Sequence, residues 1–357
     1  MTLLLSNAEV AELLPMVDCL AVLEDAYREL AAGRGVNRRR SDTFAPTSRP
    51  GALYSLKSMD GIAPSQGVGA VRINSDIVTW PERAGNARRE KVPLAPGGRW
   101  VGLVLLFSSE TGEPLAIFPD GYLQRLRVAA TNGLGVKYLA REDAGTVGLL
   151  GSGWQASGQL MAIVAVRRIA KVRCYSTSAE NREAFAAKMQ RELGVEIEPV
   201  ASAADAVRGA DVVMCATNSI EHVLFARQVE PGMHLSSIKR PEIDTAAIRA
   251  ADRVVVHTHE ERPMQFAAAG VTVPEAGEGK GWSLGADLDF ASLPELKDLV
   301  AGSVPGRQSA AEVTCFLNNI GMGFQFAAAG AAVYRKAKER GAGQELPTEW
   351  FTEDVHP

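Results

Sequence analysis

The spacing of apolar positions changes twice along the chain, and each change predicts a different kind of structure. Up to Gly33 the spacing is helical: Ser6 with Glu9 three residues on forms a capping box, and Pro15 suits the first turn of a second helix through "DCLAVLEDAYRELAAG", ended by Gly33 and Gly35. From there to Pro119 the segments are short and β-rich: "ALYSLKSM", "GVGAVRINSDIV" and "WVGLVLLFSSETGEPLAIF", with a hairpin turn at Glu110–Glu113. This predicts an antiparallel sheet. In "VRINSDIV" the period of two puts Arg72, Asn74 and Asp76 on one face and Val71, Ile73 and Ile77 on the other. Residues 81–99, polar and rich in Pro and Gly, form a loop long enough to act as a lid or partner contact.

After about Gly121, helix and strand alternate. "LQRLRVAATNGLGVKYLA", "WQASGQLMAIVAVRR", "ENREAFAAKMQREL", "SAADAVRGA" and "DTAAIRAA" read as helices, and "TVGLLG", "KVRCYS", "VEIEPV", "DVVMCAT", "HLSSI" and "RVVVHT" as strands. Such alternation requires right-handed crossovers and a doubly wound parallel sheet, so the fold class is α/β. A long closing helix is expected through residues 310–341, packed back on the first domain or on a second subunit.

The first strand of that series runs into "VGLLGSGWQA". Gly151 permits a tight turn, Gly153 lets phosphate approach the backbone and Ala156 allows close helix packing, so Gly151, Ser152, Gly153, Trp154, Gln155 and Ala156 are candidates for dinucleotide binding; the alternative is a purely structural turn. After the second strand stand Ser176, Thr177 and Ser178, with Arg182 one helical step away and no carboxylate. That favours NADP(H) over NAD(H), the alternative being hydroxyls that cap the helix near Glu180. Ala216, Thr217, Asn218 and Ser237, at the ends of later strands, complete the cofactor candidates.

Length and composition narrow the function. A chain of 357 residues exceeds one compact core, and 38 basic against 42 acidic side chains leave a net charge of −4, with no basic block beyond Arg38–Arg40. Neither nucleic acid nor a membrane is an expected partner. The start "MTLLLSNAEVAELL" has no basic region or cleavage site, and a cytoplasmic protein is expected. Cys19, Cys174, Cys215 and Cys315 lie far apart in apolar contexts, as buried hydrophobes do. No metal site is expected: His257 and His259 form H-x-H without a third ligand nearby.

The stretch "RLRVAATNGLGVKYLAREDAGTVGLLGSGWQASGQL" resembles the ornithine cyclodeaminase and μ-crystallin family, and "ETGEPLAIFPDGYL", "GADVVMCATNS", "VEPGMHLSSI" and "NIGMGFQFAAAGAAVY" extend the likeness over most of the chain. The resemblance implies a Rossmann domain, 123–309, joined to a substrate and dimerisation domain built from both chain ends, 1–122 and 310–357, and hence a homodimer. It places the substrate carboxylate on Arg127 and on Arg39 or Arg40. Arg72 stands where the family has its active-site lysine. The family's acid after the "HLSSI" strand has no counterpart; Lys239 and Arg240 occupy that region, leaving Glu242, Asp244 or Asp76 as the carboxylates able to replace it.

These readings converge on a carboxylate-bearing imine or amine substrate. A guanidinium fork binds carboxylate bidentately, which makes Arg40, Arg72 and Arg127 the substrate-binding candidates and Arg72, Asp76, Lys57 and Lys239 the catalytic ones. For Asp76 a solvated structural ion pair is the alternative, and for Lys57 a snorkelling edge lysine. His222, near the cofactor-side strand end, reads as a loop histidine, and Asn318, Asn319 and Gln325 as groups that satisfy backbone or dimer contacts. The expected activity is NADP(H)-dependent hydride transfer to or from the α-carbon of an imino or amino acid. A cyclodeaminase and a non-catalytic NADPH-dependent binder are the rivals.

Overall fold

Two β-rich segments of the sequence become two strands of twelve residues each, Ala52–Ala63 and Val68–Thr79, paired antiparallel without interruption from Ala52–Thr79 to Ala63–Val68. The computed structural model describes residues 1–83, 86–87, 89–95, 97–239, 242–260, 262–274 and 289–355. The chain divides into two units, Met1–Gln124 with Arg262–Gly279 and Gly321–Pro357, and Arg125–Glu261 with Lys280–Ile320.

In the first unit the strands lie in the order Met264–Ala267, Ser41–Pro46, Ala52–Ala63, Val68–Thr79, Val101–Ser108, Pro114–Pro119, Thr2–Leu4, Gln344–Leu346. The capping box at Ser6 and Glu9 opens a helix at Asn7–Leu13, and a second helix spans Met16–Ala31. The face carrying Arg72, Asn74 and Asp76 is the buried one, continued by Ser55, Lys57 and Met59 on the neighbouring strand. Leu56, Ile62 and Leu103 point the other way and are exposed. The solvated alternative for the polar face therefore fails, because it is the apolar residues that stand in water. The helix Gly323–Arg340 lies on the buried face, with the Phe326 ring 5.5 Å from the Arg72 guanidinium. Glycines allow its close approach: a Cβ on Gly61 would come within 2.4 Å of the Phe324 nitrogen, and one on Gly323 within 2.3 Å of the Asp60 carbonyl oxygen.

In the second unit seven parallel strands run in the order Glu196–Pro199, Lys171–Tyr175, Thr146–Leu150, Val212–Cys215, His234–Ser237, Thr314–Leu317, Arg253–Val256. Trp154–Val166 and Ala179–Leu193 are crossover helices, and the helix Gly121–Leu139, most of it in this unit, leads into the first strand. The expectation of one helix through 310–341 is corrected here. Thr314–Leu317 is a fully buried strand between two earlier ones, and the helix begins at Gly323. A short apolar run such as "VTCFL" fits a buried strand as well as a buried helix by periodicity, and partners on both sides decide it. The domain limits move accordingly. Residues 310–320 fall in the second unit, and the first reaches Gln124 and gains the 262–279 stretch, whose Met264–Ala267 strand pairs parallel with Ser41–Pro46.

Part of the 81–99 stretch is strand rather than loop: Glu90–Val92 pairs with the Ile77–Thr79 end of its neighbour, and Glu82–Arg83 pairs with Asn86–Ala87. Residues 84, 85, 88 and 96 lie outside the described residues. No described helix is long and apolar enough to cross a membrane.

Candidate functional site

The glycine turn is built by crowding on one side and openness on the other. Gly151 has φ 121°, and a Cβ there would lie 2.2 Å from the Ala216 carbonyl oxygen, so only glycine lets the first strand end beside the fourth. Gly153 caps the thirteen-residue helix Trp154–Val166 in extended conformation, without a side-chain cap, and its Cβ position meets nothing within 4 Å. The first helical N–H groups thus face open space with the positive end of the helix dipole behind them. Gln155 Oε1 and Ser237 Oγ are buried and, among the described residues, accept or donate no hydrogen bond. An open N-terminus and unused polar atoms at the strand ends fit the diphosphate and ribose of a dinucleotide. Ala156 is fully buried against the sheet, whereas Trp154 stays about half exposed, its ring 4.0 Å from the Arg125 guanidinium. Arg125 also donates to Ser157 Oγ at 3.1 Å.

At the second strand end, Ser152 Oγ donates to Ser176 Oγ at 2.8 Å and Ser176 Oγ to the Ser178 carbonyl at 3.2 Å, while Arg182 donates to the Ser176 carbonyl at 3.1 Å. Ser178 accepts from the Asn181 amide and caps the next helix; Thr177 is exposed. The capping alternative therefore holds for Ser178 alone. Beyond the fourth strand, Thr217 donates through its amide and hydroxyl to Glu242 Oε1 at 2.6 and 2.8 Å, and the Ile238 amide donates to Oε2 at 3.2 Å. Asn218 is exposed beside it. Burial raises the Glu242 carboxyl, and these donors together with the Lys239 charge pull it back. Glu242 is a clasp between two strand-end loops rather than a spare acid, and Asp244 caps the short helix Thr245–Arg249. Lys239 is half-buried beside the clasp; Arg240 lies outside the described residues.

The first unit gathers the other charged candidates on its buried sheet face. Cross-strand register sets Asp42 opposite Lys57, Lys57 opposite Asn74, and Asn74 opposite Gly102. Arg40 holds Asp42 bidentately at 2.7 and 2.6 Å. Arg89 lies 3.9 Å from the same carboxylate and donates to Ser55 Oγ at 3.1 Å. Asp76 faces Lys91 at 2.9 Å and Lys57 at 3.6 Å. Burial, reinforced by the Arg89 and Arg40 charges and opposed by Asp42, brings Lys57 down to about 7. Lys57 is no snorkelling edge residue; it is 7% exposed at the centre of a charged cluster.

Arg72 is committed to Asp120, which no local pattern singles out. Its Nε and Nη2 both reach Asp120 Oδ2 at 2.6 Å, and Asn74 donates to the same oxygen at 3.1 Å. A Cβ on Gly102 would sit 2.0 Å from Asp120 Oδ1. The "PDG" at 119–121 reads only as a turn into the next helix, and its carboxylate finds Arg72 through strand pairing that no local pattern encodes.

In the second unit Arg127 is 4% exposed on the Gly121–Leu139 helix. Burial, with the Arg127 charge, lowers His257 to about 3, so this ring is neutral; its Nδ1 lies 2.6 Å from the Ile320 carbonyl. His259 Nε2 lies 2.7 Å from the Leu293 carbonyl. Both rings serve the backbone, and no group of three metal-ligating side chains occurs among the described residues. His222 is an exposed loop residue edge-on to Phe225. Asn318 donates to the Val128 carbonyl, Asn319 to those of Thr258 and Glu260, and Gln325 to the Tyr27 hydroxyl. The four cysteines are buried and form no disulfide among the described residues, and burial raises the thiols of Cys174, Cys215 and Cys315.

The model of the ornithine cyclodeaminase/mu-crystallin family matches residues 1–341. The chain belongs to this family. This ornithine cyclodeaminase/mu-crystallin family member is 31% identical over 350 residues to a Delta(1)-pyrroline-2-carboxylate reductase of Bacillus cereus, covering 96% of this chain and 99% of that one. Among solved structures it resembles the Delta(1)-pyrroline-2-carboxylate reductase of Thermococcus litoralis in complex with NADH and L-proline, with a TM-score of 0.79, 27% identity and coverage of 97% and 100% of the two chains. It also resembles the iminosuccinate reductase of Paracoccus denitrificans in complex with NAD+, with a TM-score of 0.76, 25% identity and coverage of 97% and 99%.

Proposed function

We propose that the chain is an NAD(P)H-dependent oxidoreductase acting on C–N bonds, which moves hydride between the nicotinamide and the α-carbon of a small imino or amino acid. The observation that carries the reading is one chain combining an uncapped glycine turn, open above Gly153, with a buried sheet face rich in cations. Relatives named as imine reductases support it. Gly151, Ser152, Gly153, Trp154, Gln155 and Ala156 would hold the diphosphate, and Ala216, Thr217, Asn218 and Ser237 would line the nicotinamide side. When bound, the reduced cofactor supplies two electrons and one hydrogen, as hydride, to the imine carbon.

The chain's own residues do the rest. Arg127 binds the substrate carboxylate, whose charge offsets that of a protonated imine. Lys57, poised near neutrality, donates a proton to the imine nitrogen; the C=N π pair passes to that nitrogen as the carbon gains hydride, leaving a neutral amine. In the opposite direction the neutral amine gives up hydride from its α-carbon, and neutral Lys57 takes the proton from the iminium nitrogen that results. Arg72, already paired with Asp120, fixes the sheet face and presents its remaining N–H groups. Asp76 holds Lys57 and Lys91 in place.

NADP(H) is the preferred cofactor in this reading, because Ser176 and Thr177 offer hydroxyls and Arg182 a charge where no acid opposes a 2′-phosphate. A homodimer is supported by the outward sheet face, whose exposed Leu56, Ile62 and Leu103 suit a second copy. The test is a spectrophotometric assay of NADPH with Δ1-pyrroline-2-carboxylate, and with 2-oxo acids plus ammonium. Consumption dependent on the imine is expected; none with any member of the panel would overturn the reading.

A further inference from the structure

Arg125 reaches the glycine turn from the Gly121–Leu139 helix and is 7% exposed. Its stem crosses the helix Trp154–Val166 at Gly158, where a Cβ would stand 2.7 Å from Arg125 Cγ and 3.3 Å from its Cδ. Glycine inside a helix is destabilising relative to alanine, and here it is what lets the side chain through. Gly158 has no left-handed backbone, so space and not conformation calls for it. Beyond this passage the guanidinium meets a single helical turn twice. Its Cζ lies 4.0 Å from the centroid of the Trp154 ring, and Nη1 donates to Ser157 Oγ at 3.1 Å. Ser157 Oγ in turn donates to the Trp154 carbonyl at 2.7 Å. Trp154 is thus gripped both by its ring and by its backbone.

The grip matters because of where Trp154 stands. It is the first helical residue after Gly153, whose Cβ position opens on free space. Side chains of a helix lean toward its N-terminus and cover the turn that precedes their own Cα. An indole at this position, 53% exposed, therefore has the reach to lie across the N–H groups beside Gly153. A cation stacked on the ring selects one orientation from those available. Resting on the cofactor reading above, we propose that Arg125 is a positioning residue for the dinucleotide: by pinning the Trp154 indole beside the glycine turn, it keeps the first helical N–H groups open to the diphosphate. The effect passes through the ring, so removing the ring removes it.

Calorimetric titration of the full chain with NADPH reads the effect without turnover. Arg125→Met should weaken NADPH binding about tenfold, the size that corresponds to a desolvated stacking contact. Gly158→Ala should do the same by taking the space of the stem, and it carries the comparison where Arg125→Met fails to fold. In a Trp154→Ala chain either change should alter the Kd by less than about threefold, because no indole is left to pin. An equal loss in both backgrounds would overturn the inference, since a charge acting directly on the diphosphate, or a purely structural role, gives that pattern. The motion of the indole is a second readout. The fluorescence of Trp154, taken as the difference between each chain and its Trp154→Ala counterpart, should lose anisotropy in Arg125→Met; unchanged anisotropy would overturn the pinning. Both variants binding NADPH within about threefold of the parent would overturn the inference while leaving the oxidoreductase reading intact. A parent that binds neither NADPH nor NADH would overturn that reading and this inference with it.

Discussion

Replacing Gly102 by alanine tests the buried polar row at its tightest point. The added Cβ would lie 2.0 Å from Asp120 Oδ1 and 2.4 Å from Asn74 Nδ2, against roughly 3.5 Å for an unstrained contact. Gly102 has no left-handed backbone requirement, so the effect is steric alone. Asp120 must retreat by more than about 1 Å, which takes its 2.6 Å contacts with Arg72 to or beyond the limit of hydrogen bonding. Arg72 is 7% exposed, and removing the partner of a buried charge costs about 3–5 kcal/mol. Gly102→Ala should therefore lose roughly that much in urea unfolding and should lower kcat/KM in the same preparation. When Asn74 and Asp120 are both already alanine, adding Gly102→Ala should cost less than about 1 kcal/mol, because nothing remains to displace. A single Gly102→Ala variant within about 1 kcal/mol of the parent would refute the argument that Asp120 is held in place by the absence of a side chain.

Four further outcomes are expected. The NADPH Kd should lie below the NADH Kd, and Ser176→Asp should invert the order by placing a carboxylate beside the 2′-phosphate; a parent preference for NADH in titration would count against the hydroxyl reading. Arg127→Ala should lower kcat/KM by about thirty-fold or more while cofactor affinity holds within about threefold, as loss of one partner of a charge-assisted pair requires, and unchanged turnover would remove it from the site. Because the Lys57 pKa falls from 10.5 to about 7, the unfolded chain binds a proton between those values that the folded chain has lost. Stability should therefore rise with pH through that window, by at most about 5 kcal/mol; imine reduction should decline above pH 7, and Lys57→Met should show neither trend. L-ornithine with catalytic cofactor should yield no steady formation of proline and ammonia, since Glu242 is fastened by Thr217 and Ile238 and Asp244 by a helix cap; sustained production of both would leave Asp76 as the replacement acid.

Local chemistry made much of the molecule legible. The glycine turn, the Ser6 capping box, the hairpin and the alternation of the second unit are each written within a few neighbouring residues, and their physical causes act over the same range. The face shared by Arg72, Asn74 and Asp76 could be read from a period of two, but its burial could not, because period gives membership of a face and not which face the covering helix takes. The apolar run at Thr314–Leu317 reads as helix by periodicity, because its strand character comes from partners some sixty to eighty residues away. Asp120 and the clasp at Glu242 were hidden for the same reason: each joins residues twenty or more positions apart, through contacts that exist only once strand register is set.

The placement of Thr2–Leu4 bears on how the molecule comes into being. That strand lies between Pro114–Pro119 and Gln344–Leu346, pairing parallel with one and antiparallel with the other. Its second partner is synthesised long after it, and the Rossmann sheet likewise waits for Thr314–Leu317 to fill the gap beside Arg253–Val256. Neither sheet can close until these late segments have been made, and such distant pairings are slow to form and leave edges unpaired meanwhile. Synthesis that stalls after about residue 310 would therefore release a chain with two open sheets, a ready client for chaperones.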